Sequence, residues 1–400
     1  MERFVRKEIN RDAARGIWRT VAAAIFFLLI APSLSACSLS GHPAGEKEDT
    51  EISAQLTCVG IQENDYAKEF SIAQYEDGYA LISITDGSRF LVVPEGREAP
   101  SDLAADIEVI RQPVIDIYLA ASAVMDMFCA MDATDCIALS GLEADSWHIP
   151  KAREAMEQGK ILYAGKYSAP DYELITSSGS PLSIQSTMAE HVPEVKEQLK
   201  LLGVSVLVDR SSYEEHPLGR MEWIKVYGVI TGRMEQAQEA YERQKRAFEK
   251  GCSEESLDKT VAFFNVTSTG AVNIRKPQDY IAKMIKMAGG TYVFADMPGA
   301  EGATGTMNLQ MEEFYAKAKD ADFLIYNSTI AGEIYSLEEL LERSPLFADF
   351  KAVQQGNVWC ITADFYQSSM ELGTATEDIH KMLLTEETED DTFTFLFRLK

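Results

Sequence analysis

The chain has 400 residues, with 37 Lys and Arg against 63 Asp and Glu, for a formal charge of −26. A surface this acidic repels nucleic acid and anionic lipid head groups alike, which excludes a polyanion-binding protein and leaves membrane attachment to some other device. The length suffices for two domains of ordinary size, each able to bury its own core.

Six basic side chains, Arg3, Arg6, Lys7, Arg11, Arg15 and Arg19, precede the unbroken apolar run 21–30 and then small residues. Basic start, short apolar run and small residues make up the layout of a signal peptide. Ten residues fall short of the roughly 20 that cross a bilayer as a helix, and no later stretch comes closer. The segment ends in Leu34-Ser35-Ala36-Cys37, which resembles the bacterial lipobox, where the thiol takes a diacylglycerol and becomes the new N-terminus after cleavage. We therefore expect residues 1–36 to be a signal peptide and Cys37 to be lipidated; the alternative is an ordinary small-residue cleavage site with an incidental cysteine. Cleavage would remove six basic and three acidic groups and move the charge from −26 to −29, so the mature chain would need its covalent anchor to stay near a membrane. Residues 37–64 read as the lipidated cysteine and a flexible tether, being rich in Ser, Gly, Pro and charge over 38–56.

Five cysteines remain at Cys58, Cys129, Cys136, Cys252 and Cys360, an odd count without close pairs and so no disulfide framework. Cys129 and Cys136, seven apart on a predicted helix, are either core residues on one face or a bridge.

Between Phe70 and Pro94 short alternating runs flank Asp86-Gly87, a hairpin signal. From Val114 the pattern changes to strand-like runs at 114–120, 182–184 and 204–208, each followed by a helical stretch, which is α/β patterning with a mostly parallel sheet. Pro193 near the start and Gly203 at the end bracket a helix ahead of the third of these strands. Helical blocks follow at 216–232 and 234–250, the latter so rich in Glu, Gln, Lys and Arg that it reads as solvent-bridging. The alternation then restarts: a strand at 261–266, a helix at 279–288, a loop at 299–306, a helix at 311–319, and strands at 322–326 and 357–361. The acidic run 386–391 reads as a solvated turn before an apolar end. The fold class is therefore α/β, with two Rossmann-like lobes joined by one long helix and a ligand cleft between them. The divisions are 65–217 for an N-terminal lobe with a leading β-hairpin, 218–252 for connecting helices, and 253–400 for a C-terminal lobe and tail.

Several stretches together carry a family resemblance over roughly residues 65–380. They are Tyr66-Ala-Lys-Glu-Phe-Ser-Ile, Thr85-Asp-Gly with Val92-Val-Pro-Glu-Gly96, Tyr163-Ala-Gly-Lys-Tyr-Ser-Ala-Pro-Asp-Tyr-Glu-Leu-Ile175, Ser211-Ser-Tyr-Glu-Glu-His-Pro-Leu-Gly-Arg-Met-Glu-Trp-Ile-Lys225 and Met284-Ile-Lys-Met-Ala-Gly-Gly290. In order and spacing the chain resembles the class III solute-binding proteins, which deliver cobalamin, haem or ferric siderophores to ABC importers. The resemblance implies a monomer with no resident cofactor, bound to an ABC permease with its cytoplasmic ATPase, carrying a small-molecule ligand and no nucleic acid. It places the protein at the outer face of the cell membrane. It also implies that one glutamate per lobe docks into permease arginines; the matching positions are Glu194 and Glu312, whose other reading is simple helix N-terminal preference.

Ligand contacts are expected on loops after strands, at the carboxyl edges of both sheets. That selects Ser122, Trp147, Tyr167, Met188 and Tyr213 in the first lobe, and Arg275, Lys276, Asn327, Ser328 and Tyr366 in the second. Aromatic and Met side chains suit a large ligand, and Arg275 would answer a carboxylate or catecholate, though each aromatic could equally be core. His191 or Met188 could ligate a haem iron, or be an ordinary structural side chain. The chain carries no G-x-S-x-G, H-E-x-x-H, C-x-x-C, Walker or G-x-G-x-x-G motif, so catalysis finds little support. The rival readings are a secreted lipoprotein hydrolase on an α/β frame and a surface protein with no small ligand.

Overall fold

A computed structural model describes residues 50–253, 255–298, 304–329, 331–384 and 393–400. The signal segment, Cys37, most of the 299–306 loop and the acidic run 386–391 lie outside the described residues. Residues 47–400 form one compact unit.

The first lobe holds a parallel sheet whose strands run in the order Ser205–Asp209, Leu182–Ser186, Ile117–Leu119, Ile137–Ser140, Leu162–Tyr163. Ahead of it stands a second sheet of five strands, Cys58–Gln62, Phe70–Tyr75, Ala80–Ile84, Arg89–Val93 and Ile107–Arg111. The Asp86-Gly87 turn joins two antiparallel strands as expected, with Gly87 at φ 89°, a conformation that glycine adopts without a steric penalty. That unit is wider than a hairpin, and it corrects the reading of 37–64 as tether. Cys58–Gln62 pairs with Phe70–Tyr75 and Ile52 is buried, so the polar composition of this stretch hid an edge strand.

The second lobe is a mixed sheet ordered Thr306–Leu309, Val272–Arg275, Lys259–Val266, Phe323–Tyr326, Val358–Ile361, Leu396–Arg398, with Gly290–Tyr292 parallel to the start of the long central strand. The core strands are parallel, as the apolar runs predict. The ribbon Val272–Arg275 with Thr306–Leu309 and the last strand are antiparallel, and the ribbon is not legible in the sequence because a short polar strand such as Val272-Asn-Ile-Arg275 carries no apolar run.

The helix Met234–Gly251 spans about 27 Å at 1.5 Å per residue. It is not solvent-bridging. Ala237, Ala240, Tyr241, Gln244, Phe248 and Gly251 make one buried stripe, small enough to let the helix Leu372–Leu384 approach closely. A Cβ on Gly251 would stand 2.7 Å from the Glu377 backbone nitrogen, and one on Gly373 2.8 Å from that of Phe248. Size of side chain, not hydrophobicity, fits this helix to its partner. The five described cysteines are free. Cys129 lies in the helix Val124–Ala130, which ends before the 3-10 turn Thr134–Cys136, so the two cysteines do not share one helix.

The motif stretches around Tyr66 and His216 meet in a buried knot. The Glu222 carboxylate accepts the backbone N–H groups of Asp65, Tyr66 and Ala67, each at 2.8 Å, and pairs with the Lys225 ammonium at 2.6 Å. Glu214 accepts the next two, from Lys68 and Glu69 at 2.9 Å, and the Trp223 indole N–H at 3.1 Å. Tyr66 stacks on His216 at 4.2 Å, and burial, with Lys283 nearby, pushes the His216 imidazole down to about 4. A neutral ring leaves Nδ1 free to accept the Leu218 N–H at 3.1 Å, which caps the helix Pro217–Glu222.

Candidate ligand cleft

The carboxyl ends of the strands Ile117–Leu119, Leu182–Ser186 and Ser205–Asp209 in one lobe, and of Phe323–Tyr326 and Val358–Ile361 in the other, lead into loops that face each other. Between them lies a cavity of about 510 Å³ lined by residues of both lobes. Two outer hollows of about 620 Å³ are larger, one beside Lys160 and Arg233 and one beside Ser253 and Thr291, but each is lined from one side of the molecule. The inter-lobe cavity is therefore the candidate site.

Of the expected contacts, Ser122, Met188, Arg275, Asn327 and Tyr366 line this cavity. Tyr213 and Lys276 do not; they line a smaller neighbouring hollow of about 390 Å³ together with Lys68, Glu69 and Arg210. Trp147 is fully buried and donates its indole N–H to the Ser140 hydroxyl at 3.1 Å, so it is core. Ser328 is also buried, and its hydroxyl faces the Thr362 carbonyl at 3.5 Å. Tyr167 stands half-buried at the turn of the ribbon Gly165–Lys166 and Ala169–Pro170, away from the cavity. A Gly-containing turn signals exposure, not direction, which is why the sequence misplaces it. Glu194 and Glu312 are exposed in the first turns of the helices Pro193–Leu201 and Met311–Ala318. His191 is exposed, and no cluster of three or more metal-ligating side chains occurs among the described residues.

Arg275 is the central cation. It donates from Nη2 to the Tyr366 hydroxyl at 2.7 Å, faces Asp279 at 3.6 Å, and leaves its Nε without a hydrogen-bond partner. Burial works against its charge, but Tyr366 and Asp279 outweigh it and raise its pKa further. Burial pushes the Asp209 carboxyl up, although it accepts from the Ser211 hydroxyl at 2.5 Å and from the Tyr227 hydroxyl at 2.5 Å. Asp279 caps the helix Tyr280–Met287 through the Ile281 N–H at 3.0 Å and also accepts from the Gly305 N–H at 2.9 Å. Sequence reasoning missed Arg220, Tyr280, Asn273 and Thr306, all in the lining. Asn273 and Thr306 sit on the antiparallel ribbon that had no apolar signal, and Arg220 was read only as part of a helix.

A strap from the second lobe grips the first. Gln367 accepts the His148 N–H at 2.8 Å and donates to the Ser146 carbonyl at 2.9 Å. Ser369 donates to the Ala123 carbonyl at 2.6 Å, and the Met370 N–H reaches the Asp126 carboxylate at 2.8 Å. Burial, with Glu371 and Asp364 nearby, pushes the Asp126 carboxyl up to about 6. The strap begins at Tyr366 in the cavity, and Ala123 follows Ser122 on its opposite wall, so occupancy and lobe contact share one segment.

No family model matches the chain. Two uncharacterized lipoproteins of Methanocaldococcus jannaschii align with it, one at 27% identity over 77% of this chain and 79% of its own length. The other is 23% identical over 76% of this chain and 77% of its own. Among solved structures, the periplasmic heme-binding protein HutB of Vibrio cholerae superposes with a TM-score of 0.54 over 68% of this chain and 99% of its own, at 18% identity. The periplasmic heme-binding protein RhuT of Roseiflexus gives 0.52 over 67% and 97%, also at 18% identity. The chain has the two-lobed α/β fold of the class III periplasmic binding proteins, as its motif order implies. At these identities the likeness is one of fold, and two of its sequence relatives are described as lipoproteins.

Proposed function

We propose that this chain is the extracytoplasmic substrate-binding component of an ABC importer. It captures an iron complex, a ferric siderophore or haem, or else cobalamin or another corrinoid, and hands it to a permease driven by a cytoplasmic ATPase. One observation carries the reading: donors and acceptors from two lobes converge on a space that neither lobe closes alone. Such a site gains affinity as the lobes approach and loses it as they part, which suits a receptor that must bind and then release. The fold shared with two heme-binding proteins supports it. A hydrolase is disfavoured because the described lining holds neither histidine nor cysteine, so none of its serines has an imidazole partner there and no thiol stands in for one.

On this reading Cys37 carries the lipid, 65–217 and 253–400 are the lobes, 218–252 joins them, and Glu194 and Glu312 meet the permease. A soluble protein starting after Cys37 should melt higher with at least one of haem, cyanocobalamin or a ferric siderophore. A ligand at about 100 times its Kd adds about 2.7 kcal/mol to the folded state, a shift of several degrees. Unchanged melting with all three classes overturns the receptor reading. Glu194→Ala with Glu312→Ala should abolish uptake while affinity stays intact; loss of ligand binding would refute the docking roles. Cys37→Ala should release a ligand-competent protein from the membrane and impair import.

A further inference from the structure

We propose that the strap 364–371 is a proton-operated latch between the lobes: it holds them together while Asp126 is neutral and lets them part once Asp126 is ionised. Acid then favours capture of a ligand and neutral pH its release. The proposal rests on the receptor reading and adds to it a control on closure.

The strap runs from the strand Val358–Ile361 to the helix Leu372–Leu384. It is tied to the cavity where the Tyr366 hydroxyl accepts from Arg275 at 2.7 Å. Beyond Tyr366 it crosses to the first lobe at two points. Gln367 grips the segment ahead of the helix Pro150–Glu157, accepting the His148 N–H at 2.8 Å and donating to the Ser146 carbonyl at 2.9 Å. Ser369 and Met370 grip the start of the helix Val124–Ala130, through the Ala123 carbonyl at 2.6 Å and the Asp126 carboxylate at 2.8 Å. Ser369 and Met370 are buried, so these polar groups depend on acceptors that only the first lobe brings.

Among these crossing bonds only Asp126 offers an ionisable side chain. The groups facing it are Cys129 on its own helix, Lys151 of the helix Pro150–Glu157, Arg243 of the helix Met234–Gly251, and Asp364 and Glu371 of the strap. Lys151 lies 3.8 Å from Asp132 instead, and among the described residues neither it nor Arg243 forms an ion pair with Asp126. Glu371 accepts from Gln244 at 3.2 Å and from the Thr374 hydroxyl at 2.8 Å, which keeps a second acid beside Asp126. Burial outweighs the Met370 bond and, with Glu371 and Asp364, pushes the Asp126 carboxyl up to about 6. Burial, with Asp126, pushes the Cys129 thiol up to about 11, so it stays neutral between pH 5 and pH 8.

A neutral Asp126 keeps the Met370 bond through its carbonyl oxygen, whereas an ionised one is a half-buried charge facing two acids. As the lobes part, the acids of the strap withdraw and water reaches the carboxyl, whose pKa falls back toward about 4. Closing therefore takes up a proton. The gain is fully present below pH 4 and is lost as pH rises through 6.

The test is hydrogen exchange of the ligand-free soluble protein starting after Cys37, at pH 5 and pH 8, with each rate corrected for the intrinsic pH dependence of amide exchange. The reporters are the His148 and Met370 amides, whose bonds cross the contact at its two points. In the wild type the protection of both should fall about tenfold from pH 5 to pH 8. In Asp126→Asn it should stay level and exceed that of the wild type at pH 8. Equal wild-type protection at the two pH values, or the same fall in Asp126→Asn, overturns the latch. A response at Met370 without one at His148 overturns it too, as a local effect of the neighbouring carboxyl. If Asp126→Asn fails to fold, Gln367→Ala carries the test: it should weaken Met370 protection at both pH values, and unchanged protection counts against the latch. No ligand enters these measurements, so their failure leaves the receptor reading standing. Whichever of haem, cyanocobalamin and ferrichrome raises the melting point should show a ratio of affinities, pH 5 over pH 8, about tenfold larger in the wild type than in Asp126→Asn. Equal ratios overturn the latch, whereas a melting point that none of the three raises removes the receptor reading and leaves the exchange result to decide the latch.

Discussion

Two clusters of buried charge in this protein are arranged in opposite ways. In the knot around Glu214 and Glu222 five successive backbone N–H groups, an indole and an ammonium fill the two carboxylates. In the cleft the Arg275 Nε lies 3.6 Å from Asp279, an ion pair too long for a hydrogen bond, and Arg220 has no ion pair within 4 Å among the described residues. Satisfied buried charge fixes a segment in place, whereas charge with capacity left over costs stability unless something arrives to use it. The knot therefore serves the fold, and the cleft is the place that the proposed function assigns to a ligand.

The largest expected effect breaks the knot. Glu222→Ala strands three N–H groups and the buried Lys225 ammonium, and should cost about 3–5 kcal/mol, read as a large drop in melting temperature. An unchanged melting temperature would erase the distinction between the two clusters.

Next comes Asp126, at the lobe contact. Its folded pKa of about 6 stands well above the ordinary aspartate range near 3.8, so the folded state holds this proton more tightly than the unfolded chain does. The contribution is present below pH 4 and is lost as pH rises through 6, an effect of up to about 3 kcal/mol. The groups facing it are Glu371 and Asp364, with Cys129, Lys151 and Arg243 lining the same hollow. Asp126→Asn should match wild type near pH 4 and melt higher at pH 7, since an amide oxygen can still accept the Met370 N–H. Equal pH profiles for the two proteins would count against it.

Gln367→Ala removes two bonds between the lobes, worth about 1–2 kcal/mol in the closed form. Ligand release measured by stopped flow should quicken roughly 5- to 30-fold. The last variant sharpens the comparison most: Arg220→Gln loses the bond to the Ser211 carbonyl and the contact of its guanidinium with the Tyr280 ring, and should lower ligand-free stability by about 1–2 kcal/mol, well short of the loss in Glu222→Ala.

The fold was legible wherever burial leaves a run. Val204 to Val208 and Val261 to Val266 are strands because parallel strands covered on both faces must be apolar throughout. The ribbon at Val272–Arg275 escaped because its alternate residues Asn273 and Arg275 face the cleft and interrupt any apolar run. The same reason hid half of the site. Ser122 and Asn327 follow from the rule that loops after parallel strands face ligand, whereas Arg275, Asn273 and Arg220 sit on elements to which that rule does not apply. Trp147 misled because a loop aromatic reads alike whether it points into the core or out of it, and only packing decides.

The most direct test is a crystal structure of the soluble protein with the ligand that raises its melting point most. The account predicts ligand between the lobes, in contact with Ser122 of the first lobe and with Arg275 and Asn327 of the second. Ligand seated in the outer hollow beside Lys160 and Arg233, with the inter-lobe cleft unchanged, would contradict it.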